Sequence, residues 1–215
     1  SGILQLHSSD YLNPRAIPAG PVLVVGAGTS GAEIALELAR SHRTFLAGRP
    51  TPHIPDPVFA LAGGAYWAFI SNVLTVSTPI GRKVAAKFPE RGGPLIRVSM
   101  KQVEAAGVTL LPRITGARDG LPLAGEAVIP APTTVVWATG FRPDLSILPQ
   151  VPLDRFGLPI TRRGIVESIP GLYFVGMPFQ YALTSALIGG VGRDAAYIVD
   201  QIVSGATRRY ASIAG

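Results

Sequence analysis

The sequence predicts an α/β protein with a doubly wound parallel sheet, and three consecutive segments near its start carry this prediction. Residues 21–25 form a short, continuous apolar run, which is typical of a strand buried on both faces of a parallel sheet. Residues 32–40 place Ile34, Ala35 and Leu38 on one face of a helix, and residues 43–47 form a second short strand. A strand, a helix and a strand in this order make a βαβ unit with parallel strands and a right-handed crossover.

The rest of the chain continues this alternation of short strands and helices. Residues 58–90 are predicted to be helical with an interruption at Pro79, and residues 100–106 to form a further helix that Gly107 ends. Buried strands are expected at 108–111, 134–138 and 172–175, and a final helix at about 192–203. Short alternating pieces between 113 and 129, with Asp119-Gly120 between them, predict an antiparallel β-hairpin inserted into the fold.

The amino-acid composition excludes several kinds of functional site and partner. The 215 residues include no cysteine, which excludes disulfides, thiolate metal sites and thiol nucleophiles, and the three histidines are scattered, so no metal site is expected. The net charge of +6 comes without a run of lysine or arginine, and we therefore expect no nucleic-acid partner. No secretory signal is visible at the start, and a cytoplasmic location is expected.

An uncharged stretch from Val58 to Ile80 has nearly the length of a membrane span. Two glycines at 63 and 64 and several hydroxyl and amide side chains dilute it, and Pro79 interrupts it. A helix buried against protein is the favoured interpretation, and a membrane-associated component is the alternative.

The strongest functional motif is the turn Gly26-Ala27-Gly28-Thr29-Ser30-Gly31, which follows a strand and opens a helix. In this Rossmann-like setting, Gly26 permits the tight turn, Gly28 lets the backbone approach a pyrophosphate, and Gly31 lets the helix pack closely on the strand. The free N–H groups and the dipole of the helix N-terminus favour a phosphate there, and Thr29 and Ser30 can add hydroxyl donors. The alternative is a glycine turn that serves packing alone.

Arg49 follows the second strand, where the residue that contacts the adenosine ribose is expected. An acidic residue at the end of the second strand would accept from the ribose 2′-hydroxyl and favour NAD. This chain has Ala47-Gly48-Arg49 there and no acid before Asp56. Because an arginine can clamp a 2′-phosphate that a carboxylate would repel, the sequence predicts NADP(H) rather than NAD(H). The alternative is that Arg49 only faces solvent.

Four blocks in order resemble the flavin-containing monooxygenase family, and the match covers nearly the whole chain. His7-Ser8-Ser9-Asp10-Tyr11 is similar to the end of the family's linker signature, and residues 22–31 to its second, NADPH-binding glycine motif. Ala138-Thr139-Gly140 resembles the stretch where the chain crosses back to the flavin domain. Residues 170–176, ending at Gly176, and 185–194 resemble the closing segment of the flavin domain.

Two departures from the family pattern bear on the domain prediction. The linker signature requires a phenylalanine before its glycine, but no phenylalanine precedes Gly2. The first glycine motif, which binds FAD in the family, is absent. The resemblance therefore implies a C-terminal portion of such a protein: an interdomain linker at 1–19, a NAD(P)-binding domain at 20–138, and the C-terminal part of an FAD-binding domain at 139–215. The expected partner is the missing N-terminal FAD-binding half, and a homodimer is a further option.

The resemblance also implies a mechanism for the intact protein. NADPH would reduce FAD by hydride transfer, and a peroxyflavin would then oxygenate a small-molecule substrate. The site residues implied for the two cofactors are Gly26, Gly28, Thr29, Ser30, Gly31 and Arg49 together with Ala138, Thr139, Gly140 and Gly176, and no catalytic residue is assigned. One competing function is a flavin-dependent disulfide reductase, against which the absence of cysteine argues strongly. The other is a non-catalytic NADP-binding module.

Overall fold

The computed structural model of the chain describes residues 2–91 and 93–213, including their side chains except at 58, 89–91 and 206–213. Ser1, Gly92, Ala214 and Gly215 lie outside the described residues, and with them the outer ends of the predicted linker and flavin segments. The chain divides into two compact units, each built from two stretches of sequence. The first unit comprises Ser1–Ala60 and Arg91–Phe141, and the second comprises Leu61–Glu90 and Arg142–Gly215.

A five-stranded parallel sheet forms the centre of the first unit. Its strands are β1 (Leu4–His7), β2 (Val22–Val25), β3 (Thr44–Ala47), β4 (Thr109–Leu111) and β8 (Thr134–Trp137), in the spatial order β1-β8-β2-β3-β4. Helix α1 (Thr29–Leu38) connects β2 to β3, and the two strands pair in parallel from Val22↔Thr44 to Val25↔Ala47. The predicted βαβ unit and α/β fold class are thus confirmed.

Different layers cover the two faces of the sheet. On one face, α1 and the short helix α4 (Met100–Ala105) bury Leu38 and Val103 against Val24 and Val136. On the other face lies a small antiparallel sheet of β5 (Ile114–Arg118), β6 (Leu121–Ala124) and β7 (Ala127–Val128). Here Ala124 and Ile129 pack against Leu23, Phe45 and Val135. The predicted hairpin insertion is therefore present, with a third strand, and forms the second covering layer.

The predicted linker at 1–19 contains a strand that the sequence analysis missed. β1 pairs in parallel with β8 from Leu4↔Thr134 to His7↔Trp137 and forms one edge of the sheet. Its residues are exposed or half-buried at this edge of the sheet. Such a strand lacks the continuous apolar run that marks a central strand of a parallel sheet.

The second unit is mainly helical and irregular. It contains most of α2 (Asp56–Asn72), together with α3 (Pro79–Arg91) and α5 (Ile188–Ile213). The predicted helix over 58–90 is in fact two helices: residues 73–78 are not helical, Pro79 begins the second helix, and α2 itself is kinked at Ala62. Among the described residues, no helix combines the length and apolar character needed to cross a bilayer.

The predicted strand at 172–175 is wrong. The structure has a single isolated bridge there, Ile165↔Tyr173, with backbone bonds from Val166 N–H to Leu172 and from Phe174 N–H to Gly164. A buried strand needs hydrogen-bonded neighbours along its length, and the backbone bonds found for 172–175 in the described part of the chain do not extend into a ladder. An apolar run alone does not reveal whether these neighbours are present.

The compact units also differ from the bounds predicted for the domains. Residues 61–90 fall inside the predicted NAD(P)-binding domain at 20–138, but the structure groups them with residues 142–215. The assignment of NADP to one unit and flavin to the other therefore remains a prediction.

Candidate functional site

The candidate site lies where the order of the sheet strands reverses. From β2 the chain passes through α1 to β3 on one side, and later returns to β8 on the other side of β2. Gly26 N–H donates to the Ala47 carbonyl at 2.7 Å, and Ala138 N–H donates to the Val25 carbonyl at 2.7 Å. The turns after β2, β3 and β8 are therefore adjacent at the carboxyl edge. In open α/β sheets this reversal point is the usual ligand-binding crevice.

Two of the motif glycines allow close backbone approach. Gly26 has a φ of +113°, and a Cβ added there would collide with the Ala138 carbonyl group. A Cβ added at Gly31 would collide with the Gly26 carbonyl oxygen and lie 3.4 Å from the Ala138 Cβ. These two glycines therefore hold the turn, the start of α1 and the end of β8 in contact, as the sequence analysis predicted for Gly31.

The third glycine faces open space. Gly28 is the N-cap of α1 with φ −83° and ψ −169°, no side chain caps the helix there, and a Cβ at Gly28 would meet nothing within 4 Å. The following Thr29 and Ser30 are exposed. Because the first N–H groups of a helix lack intrahelical partners, this end of α1 can accept an anion.

The end of β3 lies against the same turn through a residue to which the sequence analysis gave no role. A Cβ added at Gly48 would lie 2.6 Å from the backbone nitrogen of Ala27 and 3.3 Å from the Gly26 carbonyl carbon. Arg49 follows directly and is exposed. The sequence shows Gly48 only as a glycine between a buried strand and the candidate phosphate-binding Arg49. The sequence alone does not reveal that Gly48 contacts Ala27.

The turn after β8 is held by a histidine from the predicted linker. His7 Nε2 lies 3.2 Å from the Gly140 carbonyl oxygen, and the His7 ring packs edge-on against Phe141 with centroids 5.1 Å apart. Because a carbonyl can only accept, Nε2 carries the proton, and Nδ1 accepts from the Ser9 N–H at 3.3 Å. Ala138 is half-buried, and Thr139 and Gly140 are exposed beside the glycine turn.

Tyr11, also in the predicted linker, attaches this segment to α1. Its hydroxyl donates to Glu37 Oε2 at 3.1 Å, and its ring packs against the core on the helix side of the sheet. Burial, followed by the hydrogen bond and the negative charge of Glu37, raises the pKa of Tyr11 well above its ordinary value. The segment after β1 is thus fixed to the helix that opens at the glycine turn.

We expect Tyr11→Phe to lower the free energy of unfolding by about 1 kcal/mol, because it leaves the Glu37 carboxylate without this donor. Since the folded protein holds Tyr11 protonated, its contribution is complete below pH 10 and is lost as the pH rises further. Urea unfolding of both proteins at pH 8 and pH 10.5 measures this. A difference that grows with pH would contradict the assignment.

The predicted site residues fall into two groups. Gly26, Gly28, Thr29, Ser30, Gly31, Arg49, Ala138, Thr139 and Gly140 all belong to the carboxyl edge of the first unit. Gly176 belongs to the second unit, where it is half-buried with a φ of +84°. Within the described residues, no group of three acidic or histidine side chains could hold a metal ion.

Comparisons with known proteins give relatives of greater length. The chain is 36% identical over 207 residues to an uncharacterized oxidoreductase named CzcO-like from Geobacillus kaustophilus, covering 94% of this chain and 58% of the relative. It is 36% identical over 203 residues to the uncharacterized oxidoreductase CzcO of Bacillus subtilis, covering 93% and 58%. No protein-family model matches the sequence.

Solved structures show the same fold. A variant flavin monooxygenase from Stenotrophomonas maltophilia superposes with a TM-score of 0.69 at 23% identity, over 95% of this chain and 56% of that one. The chain thus spans a little more than half the length of the relatives that it matches. These findings confirm the resemblance first seen in the motifs: the chain is a homologue of the CzcO-type oxidoreductases and has the fold of the corresponding part of a flavin-containing monooxygenase.

Proposed function

We propose that this chain supplies the NADP(H)-binding domain of an FAD-dependent monooxygenase, together with the C-terminal part of its flavin domain at 139–215. The observation that carries the proposal is the open N-terminus of α1 at the reversal point of the sheet, behind a turn whose glycines permit close backbone contact. This arrangement fits a dinucleotide pyrophosphate in shape and in charge.

Each part of the site has a role in this proposal. The backbone N–H groups at 28–31 and the hydroxyls of Thr29 and Ser30 hold the pyrophosphate, and Arg49 binds the 2′-phosphate. Residues 138–140 border the turn on its other side. When bound, NADPH supplies a hydride and FAD carries the chemistry with oxygen, so these residues serve to bind, orient and exclude water.

The second unit supports the flavin part of the proposal through exposed apolar side chains on α5. Ile188 and Val199 lie on one side of the helix and are 99% and 55% exposed. Large exposed apolar side chains on one side of a helix are typical of a surface that another polypeptide covers. Since the relatives extend well beyond the matched region, we assign that cover to an N-terminal FAD-binding half, which would complete the flavin site near Gly176.

A chimera tests this proposal. The unmatched portion of the Geobacillus kaustophilus relative is joined to this chain, and flavin absorbance is followed under anaerobic conditions while NADPH is added. We expect the chimera to retain flavin and NADPH to bleach it. A chimera that keeps its flavin oxidised in the presence of bound NADPH would contradict the oxidoreductase role and leave a non-catalytic nucleotide-binding module.

Arg49→Ala tests the preference for NADP(H). We expect the Kd for NADPH to rise by about 10- to 100-fold, because a charge-assisted hydrogen bond to phosphate is lost, and the Kd for NADH to remain within about twofold. Titration calorimetry with both nucleotides measures the two values. Arg40→Ala is the matched control, since Arg40 is also exposed but lies between α1 and β3 at the opposite edge of the sheet. An unchanged preference in Arg49→Ala would remove the assignment.

A further inference from the structure

The two edges of the parallel sheet differ in the residues that accompany them. β4 forms one edge and is followed directly by Pro112 and Arg113. Prolines and charged side chains are common means by which proteins keep an edge strand from pairing with another chain. β1 forms the other edge, and residues 2–9 contain no proline, lysine, arginine, aspartate or glutamate. The β1 edge therefore lacks these obstacles to pairing.

The outer backbone groups of β1 point away from the sheet. Leu4 and Ser8 donate their N–H groups to carbonyls just before and at the end of β8, at 3.0 and 2.9 Å. Because alternate residues of a strand bond to the same neighbour, residues 4, 6 and 8 bond to the β8 side and residues 3, 5 and 7 face outward. Within the described residues, no strand pairs with the outer side of β1. The N–H groups of Gln5 and His7 thus form an open row of donors.

The side chains of β1 are complementary to a second copy of the same strand. Two copies that pair antiparallel about a two-fold axis at Gln5 place Leu4 of each copy opposite Leu6 of the other. Leu4 is 37% exposed and Leu6 is half-buried in the single chain. Apolar pairs directly opposite each other stabilise a sheet, whereas like charges there destabilise it. This register gives two leucine pairs and opposes no like charges.

We propose that β1 is a dimerisation strand, which pairs with β1 of a second copy and joins the two five-stranded sheets into one continuous sheet. Gln5 N–H of each copy donates to the Gln5 carbonyl of the other, and His7 N–H donates to the Ile3 carbonyl. The interface is isologous, so each of these bonds forms twice. Since one short strand of each copy carries it, the dimer dissociates on dilution. The inference is independent of the proposed function, because it needs neither nucleotide nor flavin.

Gln5→Pro tests the outward hydrogen bonds. Proline is tolerated in an edge strand where its missing N–H faces outward, so the fold should persist while the dimer loses one donor in each direction. We expect the dimer Kd, measured by sedimentation equilibrium, to rise more than about tenfold. Gln5→Ala is the matched control: it also removes the side chain that accepts from Trp137 Nε1 at 3.0 Å, but it keeps the N–H. Its Kd should stay within about threefold of that of wild type.

A single cysteine tests the register. The chain has no cysteine of its own, so Gln5→Cys introduces one thiol per copy at the two-fold axis. Opposite Cα atoms of a hydrogen-bonded antiparallel pair lie about 5.5 Å apart, within the range that a disulfide spans. We expect mild oxidation to link Gln5→Cys into a covalent dimer. Thr109→Cys is the control, since Thr109 is exposed on the opposite edge strand β4 and should remain unlinked.

Four results would overturn the proposal. The chain could stay monomeric at every concentration, or Gln5→Pro could dimerise as tightly as Gln5→Ala, as expected for association through the exposed side chains of α5. Thr109→Cys could link as efficiently as Gln5→Cys, which would indicate random collision. Finally, Gln5→Cys could link in this chain but not in the chimera described above, which would assign the outer side of β1 to the N-terminal half.

Discussion

Gly28→Asp is expected to weaken NADPH binding by more than about 100-fold without loss of stability. The new side chain meets no atom within 4 Å, and its backbone angles, φ −83° and ψ −169°, are open to any residue. Aspartate is a preferred N-cap, and its charge favours the start of a helix. The carboxylate would therefore occupy the place proposed for the pyrophosphate and repel it.

The measurement combines NADPH titration with urea unfolding. Gly28→Ser is the control, because a serine can also cap α1 but adds no charge. We expect Gly28→Ser to lose less affinity for NADPH than Gly28→Asp does. The free energy of unfolding of Gly28→Ser should equal or exceed that of wild type. If NADPH binds Gly28→Asp as tightly as it binds wild type, the proposal that the pyrophosphate lies at the start of α1 is contradicted.

Gly31→Ala is expected to lower the free energy of unfolding by about 3 kcal/mol, the scale of an overpacked core, and to abolish NADPH binding as well. Its methyl group would collide with the Gly26 carbonyl oxygen and press on Ala138. Neither neighbour can yield cheaply, because one is backbone and the other follows the central strand β8. Urea unfolding at neutral pH measures the loss.

Gly28→Ala is the matched variant for this prediction. It adds the same methyl group three residues earlier in the same motif, where nothing lies within 4 Å. A free energy of unfolding close to that of wild type is expected. Equal losses in the two variants would mean that the penalty comes from glycine's backbone freedom rather than from the contact of α1 with the turn.

The local part of the site could be predicted from the sequence because it depends on neighbours in the chain. The buried run at 22–25, the glycine turn and the helical face at 34–38 lie within one short stretch, and each constrains the next. The placement of Arg49 beyond β3 follows from the same unit. These features required no knowledge of distant contacts.

The missed features depend on partners that are distant in sequence. β1 is a strand only because β8 lies beside it, and the apolar run at 172–175 fails to become one because it lacks such a ladder. Gly48 looks ordinary until its contact with Ala27 is known.

The interleaving of the two compact units has a consequence for synthesis and for dissection of the protein. Residues 61–90 leave the ribosome before residues 142–215, with which they form the second unit, and they must wait for that later segment. A truncation after Phe141 would leave residues 61–90 without the segment with which they form the second unit. Isolation of the first unit therefore calls for an internal excision that joins Ala60 to Arg91 through a short linker.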